Sequence, residues 1–187
     1  MAFLFTHPLT ASLETISMNN TLDIKPIANI NKQLCSELTN LLVSVVESGA
    51  SIGFVLPITQ TVAANYWQSV INDNTILLVA TLNGQLCGTA QLHLIDKPNG
   101  MHRCEIAKVI VSPNFQRQGI GRKLMLAIEQ QAIKHNRTLM VLDTRQGDPS
   151  NRLYQSLGFI EAGIIPDFAS SVDGVLEPTV YYYKKIE

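Results

Sequence analysis

The stretch VSPNFQRQGIGRKLM, Val111 to Met125, runs from β-branched residues through Ser112-Pro113 into Gly119 and Gly121, then straight into a helical pattern. A strand that enters a helix through Gly-x-Gly presents free backbone N–H groups where the helix dipole also favours negative charge. Glycine lets an anion approach the backbone with no Cβ in the way. The chemistry on offer is therefore the holding of a phosphate or a similar anion. Two nucleotide motifs fail on spacing. A Walker loop requires Gly-Lys-Ser/Thr at its end, whereas Gly121 is followed by Arg122, Lys123 and Leu124, and the dinucleotide fingerprint requires a glycine where Leu124 stands. What remains is Gln116-Arg117-Gln118-Gly119-Ile120-Gly121, that is Gln-x-x-Gly-x-Gly, closed by Arg122.

The elements that must position this loop follow from periodicity. TLDIKPI reads as a strand, and Asn31 to Glu47 as a helix with Leu34, Leu38, Leu41, Leu42 and Val45 at spacings of three and four. After the glycines of SGASIGF, a second helix covers Thr59 to Val70 and carries Trp67. Two strands then meet at Asn83-Gly84, a strong hairpin signal. RCEIAKVIV is a strand ended by Ser112-Pro113, Gly119 to His135 a helix, RTLMVLD a strand, and SNRLYQSL a short helix stopped by Gly158. FIEAGII and TVYYYKKI, separated by a loop at Asp173-Gly174, complete the chain as strands. An early hairpin and a later strand-helix-strand unit predict a mixed α/β domain, not a doubly wound parallel sheet.

The 187 residues suffice for one domain, expected over 21–187, with residues 1–20 a loose N-terminal extension. Net charge −1 and 16% charged residues leave no footprint for nucleic acid or an anionic membrane surface. MAFLFTHPLT is apolar, but no Lys or Arg precedes Lys25 and Thr6, His7 and Pro8 break the run, so neither a signal peptide nor a membrane span is expected. Cys35, Cys87 and Cys104 form neither a CxxC pair nor a zinc pattern. They read as reduced and buried, which predicts a cytoplasmic protein with no metal.

The loop resembles the pyrophosphate loop of the GNAT superfamily of N-acetyltransferases, and the resemblance extends beyond it. Glu105 stands fourteen residues before Gly119, where histone-acetylating members carry a catalytic glutamate, and LYQSLGF is similar to the superfamily's LYxxxGF, with Tyr154 at the tyrosine. GASIGF, AQLHL, KPNGMHR, EIAKVIV, RQGIGRKLM, LDT, LYQSLGF and PTVYYYK resemble, in the same order, the tabtoxin-resistance group, which acetylates a small amino-acid-like toxin. The resemblance implies the GNAT fold: a central, mixed, mostly antiparallel sheet of about seven strands flanked by about four helices. It also implies acetyl-CoA as the acetyl donor. The main chain of Val109, Ile110 and Val111 would pair with the pantetheine arm, and the backbone from Gln116 and Arg117 through Gln118, Gly119, Ile120, Gly121 and Arg122 would wrap the pyrophosphate. One departure matters: Gly147 stands where the family often has Asn, so that contact is either lost or supplied by Ser150 or Asn151.

Acyl transfer to an amine requires a held cofactor, a neutral amine and a stabilised thiolate. Strand alternation puts Glu105 on an otherwise apolar face with Ala107, Val109 and Val111, which makes it a candidate base. The plainer reading is a glutamate paired with Arg103 or Lys108. Asp143 ends LMVLD, where parallel strands part and ligands meet them, and either shares proton removal or caps the turn that follows. Tyr154 either donates to the leaving thiolate or packs in the core with Leu153 and Leu157. Gln91 and His93 share a strand face, and with Phe54 of GASIGF and Trp67 they are candidates to line the acceptor pocket, although core packing explains the aromatics nearly as well. The expected acceptor is the primary amine of a small molecule, such as an amino acid or an amino-acid-like toxin. A protein lysine or N-terminal amine, and a CoA-binding sensor without catalysis, are the rival readings. TVYYYKK, as an edge strand, would allow two copies to pair as a homodimer.

Overall fold

The computed structural model describes residues 21–171 and 173–187; the expectation for 1–20 lies outside the described residues. The elements run β1 (Leu22–Ile27), α1 (Lys32–Glu47), α2 (Gln60–Val70), β2 (Thr75–Leu82), β3 (Gln85–Leu94), β4 (Arg103–Val111), α3 (Ile120–Lys134), β5 (Leu139–Arg145), α4 (Pro149–Ser156), β6 (Ile160–Ser170) and β7 (Leu176–Lys185). Their order matches the sequence expectation, because each boundary carries its own local chemistry. Asn31 caps α1 by accepting from the Leu34 N–H at 2.8 Å, and Thr59 caps α2 through the Val62 N–H at 3.2 Å. Asn83 and Gly84 both take positive φ, 52° and 82°, as the tight β2–β3 turn requires.

The seven strands form one sheet in the order β1-β2-β3-β4-β5-β7-β6. All neighbours are antiparallel except β4 and β5. One face packs against α1 and α2 through Leu38, Leu42, Trp67, Leu77 and Val79. The other packs against α3 and α4 through Leu92, Ile106, Leu124, Ile128 and Tyr154. This is the mixed, mostly antiparallel seven-stranded sheet with four helices expected above.

Two expectations at the C-terminal end need correction. TVYYYKK is not an edge: β7 lies between β5 and β6 and pairs on both sides, so its backbone is not free to join a second copy. The edge is β6, which also runs on to Ser170, well past FIEAGII.

Gly88 shows how closely α3 is seated. A Cβ there would lie 2.6 Å from the Ile110 carbonyl oxygen and 3.1 Å from a Leu124 methyl carbon. The backbone atom has little room to yield. Gly88→Ala is expected to destabilise the fold by about 1–3 kcal/mol, read as a lower urea midpoint at unchanged m-value.

Candidate active site

The site begins with a fault in β4. Lys108 has φ 51°, and the register with β3 shifts, so that Ala107 lies opposite Gln91 but Ile110 lies opposite Thr89. An extra residue of this kind reverses the inside-outside alternation beyond it. Cys104 and Ile106 therefore face the α3/α4 layer, whereas Ile110 faces the α1/α2 layer and Val109 and Val111 pack against the α3/α4 core. Glu105 thus does not share a face with Val109 and Val111. It is exposed, opposite His93, and not enclosed by apolar side chains as the alternation argument expected.

The second feature is a parting of strands. β4 and β5 pair only at Arg103–Leu139, Cys104–Met140 and Glu105–Val141, while β5 stays paired with β7 as far as Arg145. Beyond Glu105 the β4 backbone loses its neighbour on that side. The resulting cleft has a volume of about 750 Å³, and Val109, Ile110 and Val111 line it. A strand edge left unpaired beside a cleft is a template for an extended ligand.

The third feature is the start of α3. Arg117 and Gly119 both take left-handed φ, 63° and 75°, which swings the chain into the helix, and no side chain caps it. The Lys123 N–H reaches the Gly119 carbonyl at 3.1 Å, so the amides of Ile120, Gly121 and Arg122 have no carbonyl four residues back within the helix. A Cβ on Gly119 would meet no atom within 4 Å, so the space above it is open. Gln116, Arg117, Gly119, Ile120, Gly121 and Arg122 all line the cleft; Gln118 does not. Free amides, two arginines and an open approach suit an anionic group such as a diphosphate.

Across the cleft, β5 and α4 contribute Asp143 and Tyr154. Asp143 is exposed, and the Thr179 hydroxyl shares its one proton between Asp143 Oδ2 at 3.0 Å and the Thr144 carbonyl at 2.9 Å. The Tyr154 ring is buried between Phe159 and Tyr182, with centroids 6.0 and 6.2 Å away. Burial, aided by the charges of Asp143 and Asp148, pushes its phenol pKa well above the ordinary value. Arg145 closes one end of the cleft: it bonds Asp148 at 3.0 Å, Glu177 at 3.0 Å and the Gly49 carbonyl at 3.3 Å. Burial opposes its charge, but Asp148 and Glu177 outweigh burial and raise its pKa.

Several expected site residues fall elsewhere. Trp67 is fully buried under α1 and cannot wall a pocket, because at helical spacing its ring points into the α1/α2 core. Asn151 donates to the carbonyls of Arg145 (2.8 Å) and Asp148 (2.9 Å) and accepts from the Tyr182 hydroxyl (3.0 Å), so its amide is spent on the loop. Ser150 does line the cleft and shares a 2.7 Å hydrogen bond with Thr144. Gln91 and His93 share a face, as expected, but line a separate cavity. Phe54 stacks edge-on against Tyr66 at 5.1 Å. Cys87 and Cys104 are buried and all three cysteines are free. Among the described residues no three or more His, Cys, Asp or Glu side chains are grouped to hold a metal ion, and no helix is long and apolar enough to cross a membrane.

Sequence reading missed Lys108, Tyr66 and Arg145. Only Lys108 left a signal, as a lone cation in the otherwise apolar AKVIV.

Comparison with known proteins agrees with this geometry. The chain is 29% identical over 104 residues to an uncharacterized N-acetyltransferase from the hisH-hisA intergenic region of Azospirillum brasilense, spanning 54% of this chain and 62% of that protein. It is 27% identical over 116 residues to the ribosomal protein bS18-alanine N-acetyltransferase of Escherichia coli K12, 62% of this chain and 72% of the relative. The structure of yncA, a putative acetyltransferase from Salmonella typhimurium with its cofactor acetyl-CoA, superposes with a TM-score of 0.73 at 22% identity, covering 90% of this chain and 95% of that one. The model of the acetyltransferase (GNAT) family matches residues 46–159, from the end of α1 to the start of β6, and the chain belongs to that family.

Proposed function

We propose that this protein is an acetyl-CoA-dependent N-acetyltransferase that transfers acetyl directly to the primary amine of a small molecule. The observation that carries this reading is the parting of β4 and β5. It sets a free strand edge and an uncapped helix start on one wall of a cleft, with a carboxylate and a buried phenol on the other. Val109 to Val111 would hold the pantetheine arm, and the amides from Gln116 to Arg122 the pyrophosphate. When bound, acetyl-CoA supplies an acetyl group activated as a thioester.

The remaining chemistry belongs to the chain. An alkylamine with a pKa of about 10.4 arrives protonated at neutral pH and must lose a proton before it can attack. Asp143, one oxygen held by Thr179 and the other free, is placed to accept that proton directly or through a water. Tyr154 holds a proton for the departing sulfur. Glu105, exposed and absent from the cleft lining, is a weaker base candidate than Asp143.

A small acceptor is favoured by the loop at the end of α1. Ser51, Ile52 and Gly53 line the cleft, and Arg145 ties the loop down through the Gly49 carbonyl, which narrows the opening a protein segment would need. The resemblance to the tabtoxin-resistance group supports an amino-acid-like acceptor.

The test is a mass-spectrometric screen of amine classes, peptides included, with acetyl-CoA. Small amines should be acetylated and peptide N-termini and lysines should not. Asp143→Asn is expected to lower kcat about 100-fold at pH 7, the scale of a lost general base, with Glu105→Gln within about threefold. Cofactor binding with no acetylated product from any class would remove the enzyme reading and leave a CoA-binding sensor.

A further inference from the structure

A second cavity of about 260 Å³ lies on the α2 side of the sheet, over β3 and β4. Lys108 is the one residue lining both this cavity and the main cleft. It owes that position to the bulge, which turns its side chain toward α2, where Nζ lies 5.9 Å from the Phe54 ring centroid and 6.0 Å from that of Tyr66. Two aromatic faces support the cation. No carboxylate among the described residues lies within ion-pair distance of it. Burial lowers its pKa, although Asp143 and Glu105 act in the opposite direction.

The other polar groups of the cavity are committed to one another. The Thr75 hydroxyl lies 3.2 Å from His93 Nδ1, and His93 Nε2 lies 3.2 Å from Gln91 Oε1. Burial lowers the His93 pKa, with Lys108 adding to the effect and Glu105 opposing it, so the ring is neutral. An amide oxygen only accepts, so Nε2 carries the proton and Nδ1 accepts from Thr75. Gln91 Nε2 then donates to the Tyr66 hydroxyl oxygen at 2.8 Å. Gln91 Oε1 accepts the His93 N–H on one lone pair and lies 3.1 Å from the Tyr66 hydroxyl, which donates to the other. The relay runs Thr75 to His93 to Gln91 to Tyr66 and closes on itself, because the phenol proton returns to Gln91 Oε1 over the longer contact. Asn72 Nδ2 donates to the Val70 carbonyl and Ser69 Oγ to the Tyr66 carbonyl.

The Lys108 ammonium has no hydrogen-bond or ion-pair partner among the described residues, and the Tyr66 O–H beside it holds only the longer of its two contacts with Gln91. A cationic donor with no acceptor of its own, beside a phenol that can exchange a shared amide acceptor for a charged one, suits an anionic oxygen. We propose that Lys108 and Tyr66 form a carboxylate subsite for the acceptor, so that the substrate is a molecule carrying a primary amine and a carboxylate a few bonds apart. The inference rests on the N-acetyltransferase reading above and names its substrate class. Lys108 spans the two cavities, so a carboxylate held there leaves the amine of the same molecule in the main cleft, toward Asp143.

The experiment compares α- and ω-amino acids with their own carboxamides, in wild type, Lys108→Met and Tyr66→Phe. Lys108→Met keeps the alkyl stem against the two rings; Tyr66→Phe removes only the hydroxyl. The readout is the ratio of kcat/KM for acid over amide, which a merely structural defect would not move. Wild type should favour the acid at least about tenfold, and Lys108→Met should collapse the ratio by at least that factor, the scale of one charged hydrogen bond. Tyr66→Phe should reduce it less. A second arm measures binding of the same compounds by calorimetry with CoA present. Turnover without acid preference, or a ratio unchanged in Lys108→Met, overturns the subsite and leaves the acetyltransferase reading standing. Acid-selective binding that Lys108→Met abolishes, with no turnover of any amine, keeps the subsite and overturns the enzyme. Neither turnover nor selective binding overturns the subsite outright.

Discussion

Gly119→Asp is expected to weaken CoA binding by about a hundredfold or more, close to 3 kcal/mol, while leaving the fold nearly intact. At φ 75° a side chain is strained, and Gly119 is the residue from which α3 starts without a side-chain cap. Asp and Asn tolerate the left-handed region better than other residues, so the backbone cost is about 1 kcal/mol. No atom lies within 4 Å of the new Cβ, so there is no clash to add. The melting temperature should therefore fall by less than about 4 °C. The carboxylate would compete for the free amides at the helix start and repel an incoming diphosphate. Gly119→Asn separates the two effects: it has nearly the same size and the same strain but no charge, and it should lose less than about tenfold. Calorimetry with CoA, beside thermal melts, reads all three proteins. Equal losses in Asp and Asn would mean that shape, not charge, governs the loop, and an unchanged affinity in both would place the diphosphate elsewhere.

Tyr154→Phe is expected to lower kcat by about 100- to 1000-fold, the range of a positioned general acid, with CoA affinity and melting temperature unchanged. The reason for a clean result is structural. The ring is held by Phe159, Tyr182 and the surrounding core, and the phenylalanine would keep all of that packing. Tyr154 itself lines the cleft. The raised pKa sets the sign of the pH behaviour. A phenol pushed above its ordinary value of about 10 keeps its proton through neutral and mildly alkaline pH, so it can serve a thiolate whose conjugate acid titrates near 8.5. Any fall in the wild-type rate between pH 7 and pH 9 therefore does not come from Tyr154 ionising, and the ratio of wild type to Tyr154→Phe should stay flat over that window. A phenylalanine enzyme within threefold of wild type in kcat would remove Tyr154 from the mechanism.

Much of this could be read before any coordinates. Helix starts at Asn31 and Thr59, the turn at Asn83-Gly84 and the spacing of Gly119 and Gly121 are contained within a few residues each, and each was placed correctly. The readings that failed depended on distant partners. Alternation continued through Lys108 puts Glu105 on the wrong face, and the bulge there is stabilised across the sheet by the Thr89 hydroxyl donating to the Lys108 carbonyl at 3.3 Å. TVYYYKK reads as an edge from sequence because adjacency along the chain does not reveal that β7 inserts between β5 and β6. Trp67 had the composition of a pocket wall and the position of a core residue, a difference that only the packing of α1 onto α2 makes visible.

By itself the sequence determined the order and type of the elements and the uncapped, glycine-rich start of α3, because hydrophobic period, capping and glycine conformation act over one or two turns of chain. The tertiary structure alone decided that β4 and β5 separate after three paired positions, and that Asp143 and Tyr154 face the opened edge of β4. It also decided that the bulge in β4 sets Lys108 between two cavities. Those outcomes depend on which strand lies beside which and in what register, and register is settled by long-range pairing that no local stretch of residues encodes.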